Sequence, residues 1–153
     1  MALYLVQHGK SLPKDVDPEQ SLSDEGIEKV KLIAGVAKNY HVRVNKILHS
    51  GKKRAARTAA LLADALMPPL GVSESGGLNS LDDVSAMASK LDSGEHMMLV
   101  GHLPFMERLV SLLTTGMQDH TIFKFQNGGI VCLDREKEGE KWFIKWALMP
   151  EIR

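Results

Sequence analysis

Two histidines stand where a sheet protein usually keeps its chemistry. His8 follows the apolar run Ala2-Leu3-Tyr4-Leu5-Val6 and Gln7, and precedes Gly9. His102 follows Met97-Met98-Leu99-Val100 and Gly101, and precedes Leu103-Pro104. Loops just past strand ends are where open sheets place ligand-binding and catalytic groups. Between the two lies a basic segment, Ser50-Gly51-Lys52-Lys53-Arg54-Ala55-Ala56-Arg57-Thr58, that opens a helix. A helix start offers free backbone N–H groups to an anion, and the Arg54 guanidinium offers a planar fork suited to phosphate oxygens. This combination points to phosphoryl chemistry.

The roles follow from the residue types. An imidazole nitrogen of His8 can attack phosphorus and hold the phosphoryl group, splitting the transfer into two steps. The attacking nitrogen needs its lone pair, so the other ring nitrogen should donate to a carbonyl. Gly9 would let the backbone turn tightly and approach the phosphate. His102 would donate to the phosphoryl oxygens as charge is redistributed, and a protonated ring would add electrostatic stabilisation. Plainer alternatives stand beside these roles. The histidines could be bonded locally at a loop or helix start, and Arg54 could share a solvated basic face with Lys52, Lys53 and Arg57.

The elements that must position these residues are legible in outline. The first strand is apolar throughout, as in a sheet covered on both faces. Lys10 to Gln20 reads as a loop, with Pro13 and Pro18 against regular structure. Ser21 or Ser23 caps a helix whose Ile27, Val30, Ile33, Ala34 and Ala37 form one apolar stripe. A second strand lies within 42–49, followed by a helix from about Lys52 to Leu66 that Pro68-Pro69 stops. A short strand within 72–78, a helix over 81–91 and a turn at Ser93-Gly94 lead to the strand at 97–100. Pro104 suits the first turn of the next helix. Segments 129–134 and 142–147 read as a hairpin, giving the sheet an antiparallel end. Trp142 and Trp146 are read as packing or edge-shielding residues. The expectation is a single domain over 1–153, a three-layer α/β sandwich with a mostly parallel central sheet and its pocket at the strands' C-terminal ends.

Composition narrows the field. The 153 residues carry 19 basic and 19 acidic side chains, a formal net charge of zero, which argues against nucleic acid or a membrane surface as partner. One cysteine, Cys132, excludes an internal disulfide and sits in the apolar run Gly129 to Leu133, where packing is its expected role. No apolar run approaches the roughly 18 residues of a membrane span, and the chain reads as soluble and cytoplasmic. His41, His49, His96 and His120 show no metal-ligand spacing, so neither metal nor cofactor is expected.

The order of these parts resembles the histidine phosphatase superfamily, with its phosphoglycerate mutase-like fold. The family's Arg-His-Gly appears as Gln7-His8-Gly9, its Ser-Pro-x-x-Arg-Ala-x-Gln-Thr as Ser50 to Thr58, and its second histidine as His102. Small size, the His102-Leu103-Pro104 continuation and the lack of a large inserted cap look like the SixA branch of compact phosphohistidine phosphatases. The resemblance implies His8 as nucleophile, with His102 and Arg54 as its catalytic partners. It also implies phosphate binding by position 7, Gly9 and Arg54.

Position 7 departs from the family. Gln7 donates from an amide but carries no charge, and losing one charge-assisted contact costs on the order of a hundredfold in rate. Arg57 stands where the family often has glutamine, so a swap of amide and guanidinium would compensate, with Lys10 as a rival donor. Larger relatives also have an acid to protonate the leaving group. The nearest counterparts are Glu74, Asp82 and Asp83, of which Asp82-Asp83 more simply start a helix. Asp15 and Asp17 are further candidates in the loop after His8. A phosphoramidate has a nitrogen leaving group that is easily protonated and needs less from an acid. The favoured function is metal-independent hydrolysis of phosphohistidine in a protein. The alternatives are a small-molecule phosphomonoesterase, or a phosphate- or phosphoprotein-binding module in which Gln7 has impaired catalysis.

Overall fold

The computed structural model describes residues 2–91 and 96–152. Its strands are β1 (Leu3–Gln7), β2 (Lys46–His49), β3 (Val72–Glu74), β4 (Met97–Gly101), β5 (Ile130–Asp134) and β6 (Phe143–Leu148). Its helices are α1 (Asp24–Asn39), α2 (Lys53–Leu66), α3 (Val84–Ser89) and α4 (Phe105–Thr115). One sheet has the order β3-β2-β4-β1-β5-β6. The first four are mutually parallel, whereas β5 runs antiparallel to β1 and β6 antiparallel to β5. The sheet is therefore mostly parallel with an antiparallel end, as expected.

Alternation along β1 divides the core into two layers. Tyr4 and Val6 pack with Val30 and Ile33 of α1 and Ala55 and Leu62 of α2. Leu3 and Leu5 face the other way, onto Phe105 and Leu109 of α4 and Val84 of α3. Successive strand side chains point to opposite faces, so an unbroken apolar strand needs helices on both sides. Burying β1 in this way fixes where its C-terminal end, and hence His8, emerges.

Local signals set the helix starts. Ser23 caps α1 by accepting the Gly26 N–H at 3.0 Å, with Asp24 and Glu25 in the first turn. Gly26 is required there because a Cβ would collide with the Lys10 carbonyl. The second strand occupies Lys46–His49, within its expected range. The helix expected over 81–91 is limited to α3, because Asp83 caps it through Ser85 N–H and Asp82 accepts from Asn79 N–H. These two acids build a loop and a cap. The turn expected at Ser93-Gly94 lies outside the described residues. At the antiparallel end Trp142 is buried beneath the Arg135 guanidinium, 4.4 Å from its ring centroid, and Trp146 packs on Tyr4. Cys132 is buried, and burial pushes its thiol up to about 11.

Candidate active site

The parallel ends of β1 and β4 lie side by side, with Gln7 in register with Gly101. His8 N–H extends this pairing by one bond, donating to the Gly101 carbonyl at 3.0 Å. The two rings that follow face each other with centroids 4.9 Å apart and planes inclined by 52°.

Backbone fixes the His8 ring. Its Nδ1 lies 2.7 Å from the Gly9 carbonyl, which can only accept, so Nδ1 carries the proton and Nε2 keeps its lone pair. The adjoining backbone is held as well. Asn127 Nδ2 donates to the His8 carbonyl at 3.1 Å, and Gly128 N–H donates to the Gln7 carbonyl at 2.9 Å. Gly9 N–H donates to Thr58 Oγ1 at 2.9 Å, while that hydroxyl donates to the Arg54 carbonyl at 2.8 Å. Thr58 thereby couples the first strand end to the first turn of α2. Gly9 is needed for close packing: a Cβ there would lie 2.8 Å from Val30 Cγ2. This is a constraint from the helix side, and its φ lies outside the left-handed region.

His102 is held by a side chain. It is only 4 % exposed, and its Nε2 lies 2.6 Å from Ser50 Oγ. The same hydroxyl accepts the Lys52 N–H at 3.3 Å. Burial, then the positive fields of His8, Arg54 and Lys52, lower the His102 pKa to about 4. His8 is lowered too, chiefly by burial, with Arg54 adding to the effect against the opposing Gly9 bond. Both rings are neutral near pH 7 in the free protein, so a protonated His102 is not the resting state. Neutral His8 is the nucleophilic form.

Arg54 sits half-buried in the first turn of α2, where its charge reaches both histidines. No side chain caps this helix and its first turn holds no acid, which leaves its N-terminal field open to an anion. Two neutral imidazoles, one guanidinium and a helix start thus converge at one end of the sheet. The arrangement suits in-line attack on a phosphoryl group bound between the rings.

No protein-family model matches the chain. A curated relative does, along nearly its whole length. It is 24% identical over 156 residues to the phosphohistidine phosphatase SixA of Escherichia coli strain K12, spanning 98% of this chain and 94% of the relative. The solved structure of the protein histidine phosphatase SixA complexed with tungstate superposes with a TM-score of 0.87 at 23% identity, over 98% of this chain and 97% of that one. A mycobacterial glucosyl-3-phosphoglycerate phosphatase complexed with VO3 shares the fold at a TM-score of 0.74 and 15% identity, over 97% of this chain and 99% of that one. The chain has the fold of these proteins and is similar to the SixA relative along nearly its whole length.

Position 7 is where the chain departs from the motifs of the resemblance. Gln7 Oε1 is buried and has no hydrogen-bond partner among the described residues. Arg57, one turn beyond Arg54, is exposed. Lys10 is engaged by Glu25 at 2.8 Å, away from the phosphate role considered for it. Asp17 turns into its own loop, accepting from Glu19 N–H and from Ser21. Asp15 is exposed. Among the acids considered, Glu74 comes closest to the motif residues. It ends β3 in register with His49, and a Cβ on Gly51 would collide with its carboxylate. His49 shapes the same turn by accepting the Gly51 N–H at 3.1 Å, and Gly51 has φ +90, where a side chain would be strained. Among the described residues no three His, Cys, Asp or Glu side chains are grouped to hold a metal ion.

In the sequence Ser50 and Thr58 stand within the basic motif with no role of their own, and Asn127-Gly128-Gly129 reads as a turn between sheet segments at the rim of the site. Thr58 had a signal: it lies four residues after Arg54, one turn along the same helix face. Ser50 reaches His102 across 52 positions and Asn127 reaches His8 across 119, spacings that no local pattern encodes.

Proposed function

We propose that this chain is a metal-independent phosphohistidine phosphatase working through a covalent enzyme intermediate. The carrying observation is the His8 ring: its Nδ1 is committed to the Gly9 carbonyl, which leaves Nε2 with its lone pair, and the His102 ring centroid lies 4.9 Å from its own. His8 Nε2 attacks phosphorus, the P–N bond to the substrate imidazole breaks, and the departing nitrogen takes a proton from solvent. Water then attacks the phosphorus on His8, releasing inorganic phosphate and restoring the neutral ring. Arg54 is the principal phosphate-binding cation, with Gly9 and the Gln7 amide beside it. Arg57 is the second cation, offsetting the charge missing at position 7. His102 donates to the phosphoryl oxygens as charge builds on them.

The relatives support this substrate class through what their names state: one is a phosphohistidine phosphatase, another a protein histidine phosphatase complexed with tungstate. The phosphoryl donor is accordingly a phosphohistidine-containing protein, met in the cytoplasm. Among the described residues no helix is long and apolar enough to cross a membrane. The placement of Glu74 favours a second reading, a phosphomonoesterase using that carboxylate as leaving-group acid.

The test is rapid quench of wild type and His8→Ala with a histidine-phosphorylated protein. Turnover with acid-labile phosphate on the wild-type enzyme, and neither in the variant, is expected. Phosphate binding without a phosphoenzyme would instead make the chain a binding module. Alkyl phosphate turnover that collapses in Glu74→Gln would establish the phosphomonoesterase.

A further inference from the structure

An open groove of about 580 Å³ has Arg54 in its lining. Lys52, Lys53 and Arg54 from the start of α2 form one wall, and Lys14, Glu19 and Gln20 of the 10–20 loop form the other. Its only carboxylate, Glu19, is already paired with Lys53 at 3.0 Å. Lys14, Lys52 and Arg54 have no ion pair among the described residues. The groove therefore keeps three uncompensated cations on a chain whose formal net charge is zero.

The far wall is built. Asp17 ties down the N–H groups of Glu19 and Ser21, and Ser11 bridges to Leu22 across the loop. An acidic segment meeting this wall would pay little to order it.

Gln7 supplies the reason for such a surface. An amide replaces a cation at the phosphate, so the reacting group itself contributes less binding energy. Contacts to a remote part of the substrate can supply it instead. We propose that the groove docks an acidic stretch flanking the phosphohistidine of the substrate protein. The inference rests on the proposed phosphohistidine phosphatase activity and narrows its substrate class to proteins with carboxylates beside the phosphorylated ring. Complementary charge at a rim acts mostly on encounter and selection, and is screened by salt.

Two synthetic peptides test this, each with one N-phosphohistidine, flanked in one by Asp and Glu and in the other by Asn and Gln. The acidic peptide is expected to show a kcat/KM about tenfold higher at low ionic strength. The ratio should shrink toward one in about 0.5 M salt, where screening is nearly complete at contact distances. Lys14→Glu, at an exposed loop position, should shrink it as well. Equal turnover of both peptides by the wild type at low salt overturns the docking inference alone. Turnover of neither, by folded protein, overturns the phosphatase reading and this inference with it.

Discussion

The two strand ends that carry histidines look alike in sequence and are built differently. At β1 the imidazole is held by main chain: its Nδ1 donates to the next carbonyl, and its own amide and carbonyl are bound to Gly101 and Asn127. At β4 the imidazole is held by a hydroxyl from another strand end, Ser50. Backbone carbonyls cannot be titrated and do not rotate away, so the β1 ring keeps one tautomer. A hydroxyl both donates and accepts, so the β4 ring can exchange roles with Ser50 during a reaction. The nucleophile proposed at His8 needs constancy, whereas the donor proposed at His102, which would follow changing charge on phosphoryl oxygens, benefits from an adaptable partner.

Removing the β4 ring gives the largest expected effect within this comparison. His102→Ala should lower kcat on a histidine-phosphorylated peptide by about 10²–10³-fold, the usual loss for one donor to a developing anion. Because His8 is held independently, quenched reactions should still show phosphate on the enzyme. Absence of any phosphoenzyme would mean that the two ends act as a single unit.

Position 7 comes next, since it separates the charge at the two ends. Gln7→Arg would place a guanidinium beside the nucleophile and raise phosphate affinity by about tenfold, read as competitive inhibition by inorganic phosphate. The same change in an Arg57→Ala background should give a larger gain if Arg57 has been substituting for the missing charge. Equal gains in both backgrounds would remove Arg57 from the site.

How much of this was legible depends on whether the signal was local. The apolar run 2–6, the Ser23 cap and the α2 start are each specified within a few residues, and all appear where expected. The second strand lies within 42–49 as expected and occupies Lys46–His49, although Val42 and Val44 also have strand-favouring side chains. Their backbone does not pair with a neighbour: Val42 N–H closes the end of α1 by donating to Ala37, and Asn45 N–H reaches the His96 carbonyl. His8, His102 and Arg54 could be found because chemistry limits which residue types suit phosphate. The bonds of Ser50 to His102 and of Asn127 to the His8 carbonyl are not legible, because they run across the fold to partners that sequence proximity does not disclose.

Proton linkage offers the gentlest test of the difference. The pKa of His102 is about 4 in the folded protein, mainly through burial, against an ordinary value of 6.5. As pH falls from 6.5 toward 4, unfolded chains take up a proton that the folded site refuses, so stability is lost across that window. His8 acts in the same direction. The slope from either ring is at most about 1.4 kcal/mol per pH unit. Urea midpoints should therefore fall through this range in the wild type and fall less steeply in His102→Gln, which removes one of the two resisting rings. Identical pH dependence in the two proteins would mean that the β4 ring takes its proton normally. The contrast with the backbone-held His8 ring would then lie in tautomer alone.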